Sequence, residues 1–163
     1  PALTGIPAAR SKMEHQIAEV LPLHIGYTAD GWFGVDMPAL LPKKEHGGVD
    51  YIRQNLYLAL GEYFKSRDKL RLDACVLVVC HRYDRKRPER AYRDHDNIEL
   101  NAIVDALALY ALYDDGPLRC EHHYCSLQDD RDATTVLLVP QDAFTVCYTR
   151  IKTAPQMLLP LFP

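Results

Sequence analysis

Residues 73–116 read DACVLVVCHRYDRKRPERAYRDHDNIELNAIVDALALYALYDDG, and this stretch decides the fold. It opens on Ala74 to Cys80, a run with no polar side chain and with Val76, Val78 and Val79 β-branched. A strand that is apolar on both faces suits the centre of a sheet covered on both sides. The polar, basic loop His81 to Arg93 follows. A helix is then expected from Asp96 to Tyr113, with Asp96 as its N-cap. Ile98, Leu100, Ile103, Val104, Leu107 and Leu112 make that helix apolar almost all round, so deep burial is expected. Its polar exceptions, Asn97, Asn101 and Asp105, recur every four residues and form a stripe that needs partners wherever it is buried.

Working outward, Val49 to Lys65 reads as an amphipathic helix, because Ile52, Leu56, Leu60 and Phe64 recur at fourfold spacing. Ile25 to Ala39 mixes aromatic and glycine residues as broken strands do, and reads as a hairpin. Residues 40–48 read as a loop. Pro117 to Leu127 and Ala133 to Pro140 read as two strands around a turn at Gln128 to Arg131. Asp142 to Ile151 reads as one more strand or an irregular segment. Pro1 to Pro7 reads as a loose tail, and Ser11 to Val20 as a short helix stopped by Pro22. The order predicts one α/β domain, a mixed β-sheet packed against two main helices. Its divisions are an N-terminal extension over 1–24, the α/β domain over 25–151 and a C-terminal tail over 152–163.

With 48% hydrophobic and 25% charged residues, the chain can build a packed core. A net charge of −3 argues against a globally basic nucleic-acid coat but leaves room for a local basic patch. The five cysteines are odd in number and none pairs as CxxC. They read as buried, reduced thiols and make a cytoplasmic setting the expectation. No apolar run reaches the ~20 residues of a membrane span, and the opening residues carry no signal-peptide pattern.

The acidic residues Asp94, Asp96, Asp114 and Asp115 flank the second helix. Hard cations such as Mg²⁺ prefer carboxylate oxygens with retained waters. Carboxylates converging on a phosphate support metal-assisted phosphodiester hydrolysis. The plain alternative is that Asp94 and Asp96 cap the helix and that Asp114-Asp115-Gly116 makes a turn. A helix from Asn97 to Tyr113 would carry the chain roughly 25 Å. Asp115 could then join Asp94 and Asp96 only if the helix breaks early, if the following strand folds back alongside it, or across a dimer interface.

Arg93-Asp94-x-Asp96-Asn97, a helix containing Asp105-Ala106-Leu107, and then Asp114-Asp115 resemble the RusA-type Holliday-junction resolvases. Asp96 and Asp115 stand 19 positions apart, the spacing expected of that family. The resemblance covers roughly Leu72 to Pro140. It implies a small homodimeric α/β enzyme that cleaves branched DNA with Mg²⁺ or Mn²⁺, with Asp94, Asp96 and Asp115 as catalytic metal ligands beside Asp114. It also implies a lysine one turn into the helix, where this chain has Leu100 or Asn101. The expected cation is missing there, so junction binding without cleavage by a replisome-associated adaptor is the alternative. The chain also looks like uncharacterised proteins of bacterial mobile elements.

Three further segments bear on function. Arg82, Arg85, Lys86, Arg87, Arg90 and Arg93 stand against Asp84 and Glu89, six basic residues to two acidic, a local charge of +4 for gripping DNA phosphates. The tail, with Gln156, Leu159, Leu161 and Phe162, resembles the bacterial sliding-clamp-binding peptide, in which apolar anchors dock into a groove. Cys120-Glu121-His122-His123-Tyr124-Cys125 lacks zinc-finger spacing and reads as an ordinary strand with alternating faces. His81 and His95 flank the acidic site.

Overall fold

A computed structural model describes residues 21–44 and 49–163. The loose tail at 1–7, the short helix at 11–20 and the Gly47-Gly48 part of the loop lie outside the described residues. Five strands form one sheet: β1 (His24–Tyr27), β2 (Phe33–Met37), β3 (Cys75–Asp84), β4 (Cys120–Asp129) and β5 (Ala133–Pro140), in the order β1-β2-β5-β3-β4. The sheet is mixed. β3 pairs antiparallel with β5 on one side and parallel with β4 on the other. The two strands expected around the turn at Gln128 are thus not neighbours, because β3 lies between them.

β3 is the central strand that its composition predicts, buried from Cys75 to Tyr83. Its alternation feeds two cores. Cys75, Leu77 and Val79 pack with Val35, Val136 and Leu138 under α1 (Val49–Tyr63) and α2 (Asn101–Tyr110). Val76 and Val78 pack on the other face with Leu137, Val139 and α3 (Phe144–Thr153). Each such fully buried aliphatic side chain contributes about 1.5–3 kcal/mol.

Three elements depart from the sequence reading. β3 runs on to Asp84, so His81 to Asp84, read as the start of the basic loop, continue the central strand because β4 and β5 pair with them. α3 occupies the segment read as a strand or irregular chain. Its Thr145, Val146, Thr149, Ile151 and Thr153 have strand-like chemistry, but Cys147 and Ile151, four apart, both bury against the sheet. Packing of that face outweighs the modest propensity cost. The second helix is also shorter than expected. A 3-10 turn at His95–Asn97 is followed by extended chain, and α2 begins only at Asn101. Ile98 forms a bridge with Lys43, and the Glu99 N–H donates to the Pro42 carbonyl at 2.9 Å. Pairing with that segment holds residues 98–99 out of the helix. The N-cap position falls to Leu100 and not to Asp96, and the Glu99 carboxylate accepts the Asn101 N–H at 3.1 Å. α2 is buried at Ala102, Ile103, Ala106 and Leu107. Asn101, Asp105 and Leu109 form an exposed stripe, so the polar stripe finds its partners in water.

Two glycines mark close geometry. Gly31 has φ +85° in the β1–β2 turn, a conformation that side-chain-bearing residues rarely adopt. Gly34 of β2 is paired with Leu137 of β5, and a Cβ there would stand 2.4 Å from the Leu137 side chain and 2.9 Å from the Val136 carbonyl oxygen. Gly34→Ala should lower stability by about 1–3 kcal/mol. Urea denaturation reads this directly, and an unchanged midpoint would contradict the packing described here.

Candidate functional site

β3, central in the sheet, ends near the Asp94–Asp96 turn, and its alternation sends different chemistry to its two faces. His81 and Tyr83 point to the α1/α2 side, and Arg82 to the α3 side. Tyr83 is fully buried and its ring stacks on Tyr92 at 4.2 Å. Its hydroxyl accepts the Arg93 N–H at 2.9 Å, and the Arg93 guanidinium donates to the Leu41 carbonyl. His95 Nε2 lies 2.8 Å from Ser126 Oγ, and the Gln128 amide donates to the Tyr92 hydroxyl at 3.0 Å. The segment 92–95 is therefore fastened to both β3 and β4.

Asp94 and Asp96 project from this fastened turn into solvent. Among the described residues neither carboxylate has an ion pair or a side-chain hydrogen bond. His81 lies beneath, 1% exposed, with Nδ1 3.4 Å from the Tyr83 hydroxyl and Nε2 without a partner among the described residues. Burial, reinforced by the charges of Arg93 and His95, lowers its pKa from 6.5 to about 4, so the ring is neutral near pH 7.

Asp114 and Asp115 lie elsewhere. Asp114 accepts the Gly116 N–H at 2.9 Å and faces Arg119 at 3.7 Å. Asp115, exposed, sits near Cys120 at the start of β4. α2 spans about 15 Å, and the strand from Cys120 to Ser126 spans about 20 Å. The helix does break early and β4 does fold back alongside it, yet Asp115 stays at the far end. Within one chain, Asp94, Asp96 and Asp115 are not brought together. Among the described residues, no three or more His, Cys, Asp or Glu side chains are placed to hold a metal ion. This holds equally for the Cys120–Cys125 stretch, where His123 packs against Phe144 at 5.0 Å as strand alternation requires.

The basic loop is largely spoken for. Arg82 pairs with Asp36 and, at 2.8 Å, with Asp129. Arg85 pairs with Asp130, and Arg87 with Asp132. Together with the Arg93 contact to Leu41, this gives four of the six expected DNA-gripping residues a partner within the fold. Lys86 and Arg90 are exposed and have no ion pair among the described residues. The turn Asp129 to Asp132 that clamps this loop was not singled out in the sequence. Its signal, three aspartates opposite a basic run, is visible there once charge complementarity is sought. Exposed pairs such as Arg85–Asp130 contribute at most about 1 kcal/mol each. The buried Arg82–Asp36 pair, joined by Thr135 at 2.7 Å and Arg131 at 3.3 Å, ties β2, β3 and β5 together.

A cleft of about 550 Å³ lies on the α3 side of this network, between Arg82, Gln128, Asp129 and Arg131 and the tail residues Gln156 and Leu159. The tail packs on its own domain. Leu158 is buried, and the Phe162 N–H donates to the Tyr27 carbonyl at 3.0 Å, adding a short antiparallel bridge beside β1. The side chains of Leu161 and Phe162 nonetheless remain 71% and 55% exposed. No helix of the described residues is long and apolar enough to cross a membrane.

The model of DUF6100, a family of unknown function, matches residues 1–158, and the chain belongs to that family. No curated protein and no solved structure matches it.

The buried His81 makes stability depend on pH. As pH falls, the unfolded chain takes up this proton near 6.5 and the folded protein only near 4. The stabilisation is complete above about 6.5 and is lost as pH falls toward 4, a change on the order of 3 kcal/mol. Asp129 and Asp132, whose pKa values are lowered chiefly by hydrogen bonds from the Asp130 N–H and from Arg87, add losses below 3.8. Urea denaturation at a series of pH values should show the upper limb in the native protein and a flattened one in His81→Gln. An equal slope in both would remove His81 as its source.

Proposed function

We propose that this DUF6100 protein is a Mg²⁺-dependent, structure-selective DNA endonuclease resembling the Holliday-junction resolvases and acting as a homodimer. The observation that carries this reading is the pair Asp94 and Asp96, exposed, free of ion pairs among the described residues, and held on a fastened turn that follows a basic segment in which Lys86 and Arg90 are exposed. Mg²⁺ commonly takes one or two protein carboxylates and completes its shell with water and substrate phosphate. Two exposed carboxylates that no basic side chain of the described residues neutralises fit that requirement, and Mn²⁺ would take the same oxygens. Bound metal would supply Lewis acidity and an activated water. Lys86 and Arg90 meet the flanking phosphates, while Arg82, Arg85, Arg87 and Arg93 keep the loop in shape. Ser126 holds the His95 ring on the same turn, at 2.8 Å from Nε2.

Asp115 enters this site from a second copy. Among the described residues the outer edge of β4 carries no strand, and it runs from the Asp115 end of the sheet to the Asp94–Asp96 end. Two such edges laid antiparallel would set Asp115 of one chain against Asp94 and Asp96 of the other. Leu118, 92% exposed at the start of β4, gives that association an apolar contact.

A second reading, a non-catalytic DNA-binding or replisome-associated adaptor, is favoured by two observations. The expected lysine position is filled by buried Leu100 and exposed Asn101, neither a cation. Leu161 and Phe162 also present apolar side chains to solvent, as a sliding-clamp ligand would. Full docking of the tail would release the Phe162 bridge, at about 0.5–1.5 kcal/mol per backbone hydrogen bond.

A labelled four-way junction incubated with protein and Mg²⁺ tests the first reading. Asp96→Asn and Asp115→Asn should each reduce cleavage by roughly 100-fold or more. Mixing the two variants should restore part of it, because one site of each mixed dimer is intact. Binding without cleavage by the native protein favours the adaptor, and neither binding nor cleavage overturns both readings. For the adaptor, capture of the chain on immobilised sliding clamp should disappear when Leu161→Ala and Phe162→Ala are combined; undiminished capture would sink the clamp assignment.

A further inference from the structure

Four of the five cysteines stand in two facing pairs across the parallel strands β3 and β4. Cys75 is in register with Cys120, and Cys80 with Cys125. The five-residue interval is the same in both strands, so one pair lies on each face of the sheet. Neighbouring strands are about 4.8 Å apart, inside the roughly 4.4–6.8 Å Cα separation that a disulfide spans. All five cysteines are free thiols in the structure.

The two pairs differ in access. Cys75 and Cys120 are 1% and 4% exposed and belong to the core beneath α1 and α2. Cys80 is equally buried, but Cys125 is only half-buried and sits on the edge strand. We propose that Cys80 and Cys125 form a reversible dithiol–disulfide pair, with Cys125 as the attacking thiol and Cys80 as the resolving one. Low-molecular-weight disulfides are the oxidants it takes.

The surroundings agree with that division of roles. Cys125 has its pKa lowered, first by the hydrogen bond from the Cys80 thiol and then, against the effect of burial, by the charge of Lys152. Cys80 is raised by the same hydrogen bond and by burial, as suits a thiol that holds its proton until its neighbour has reacted. The thiolate is the nucleophile in such exchange. The third thiol on that face, Cys147, is fully buried and is pushed up to about 12 by burial and by Cys125, so it stays protonated.

The exchange proceeds in two displacements. The Cys125 thiolate attacks one sulfur of the small disulfide, whose S–S bond breaks, and one small thiolate leaves. Cys80 then gives up its proton and attacks Cys125 Sγ, forming the protein disulfide and releasing the second small thiol. Two protein thiols are oxidised by two electrons while one small disulfide is reduced to two thiols. The product cross-links the edge strand to β3 next to Ser126, which holds His95. This chemistry is independent of the nuclease reading.

The test treats the full native chain with oxidised glutathione and maps the disulfide-linked peptides by mass spectrometry. Linkage of Cys80 to Cys125, with Cys75 and Cys120 still alkylatable, is expected, and dithiothreitol should reverse it. Cys80→Ser should accumulate a glutathione adduct on Cys125. Cys125→Ser should carry roughly tenfold less glutathione adduct, or lower, than Cys80→Ser. Far-UV circular dichroism of both variants before oxidation checks that they are folded. Absence of the linked peptide from the native chain, linkage at Cys75–Cys120 instead, or a stable adduct on Cys125 that Cys80 never resolves would overturn the assignment.

Discussion

Burial of β3 on both faces is the constraint from which the rest of the structure follows. A ten-residue strand with apolar side chains on alternate sides cannot be left against water on either face, so helices must cover both. α1 and α2 take one side, and α3 with the tail takes the other. The same alternation continues past the apolar run. It delivers His81 and Tyr83 beneath the Asp94–Asp96 turn and Arg82 into the ion-paired network on the opposite side. The site is thus an extension of the core, built where the central strand runs out of apolar residues.

The parallel pairing of β3 with β4 has a second consequence. Parallel neighbours cannot be joined by a tight turn, and the chain must cross the full length of the sheet between them. α2 makes that crossing. Residues before it and after it lie at opposite ends of the strands, so Asp96 and Asp115 are separated by topology and not by accident of loop conformation. Helix length could be shortened by several residues, as it is, without relieving this. Any site using all three carboxylates is a site between chains.

Electrostatics gives the basic loop its shape. Arg82, Arg85 and Arg87 meet Asp129, Asp130 and Asp132 across the ends of β3 and β4, and the buried Arg82–Asp36 pair is backed on each side by a second partner, Asp129 and Arg131. The two edges of the sheet are handled differently. The β1 edge is capped by the Phe162 bridge, and a Cβ at Gly26 would stand 2.2 Å from the Phe162 carbonyl oxygen. No strand of the described residues pairs with the outer edge of β4; long open edges are uncommon unless something covers them.

The sequence by itself determined the elements whose signal is local. The apolar run Ala74 to Cys80, the fourfold spacing of Ile52, Leu56, Leu60 and Phe64, and the β-branched run after Ala133 each encode their own periodicity, and the mixed α/β class follows from their order. The candidate carboxylates and the basic loop were likewise visible as residue types. Tertiary structure alone decided the rest. α3 is a helix because Cys147 and Ile151 find the sheet, although its threonines and valine favour a strand. α2 starts at Asn101 because Ile98 and Glu99 pair with residues 42–43, more than fifty positions away. Arg82 is a structural cation because Asp36 and Asp129 converge on it from distant strands. Each of these outcomes depends on a partner remote in sequence, and a pattern read along the chain carries no information about which remote groups will meet.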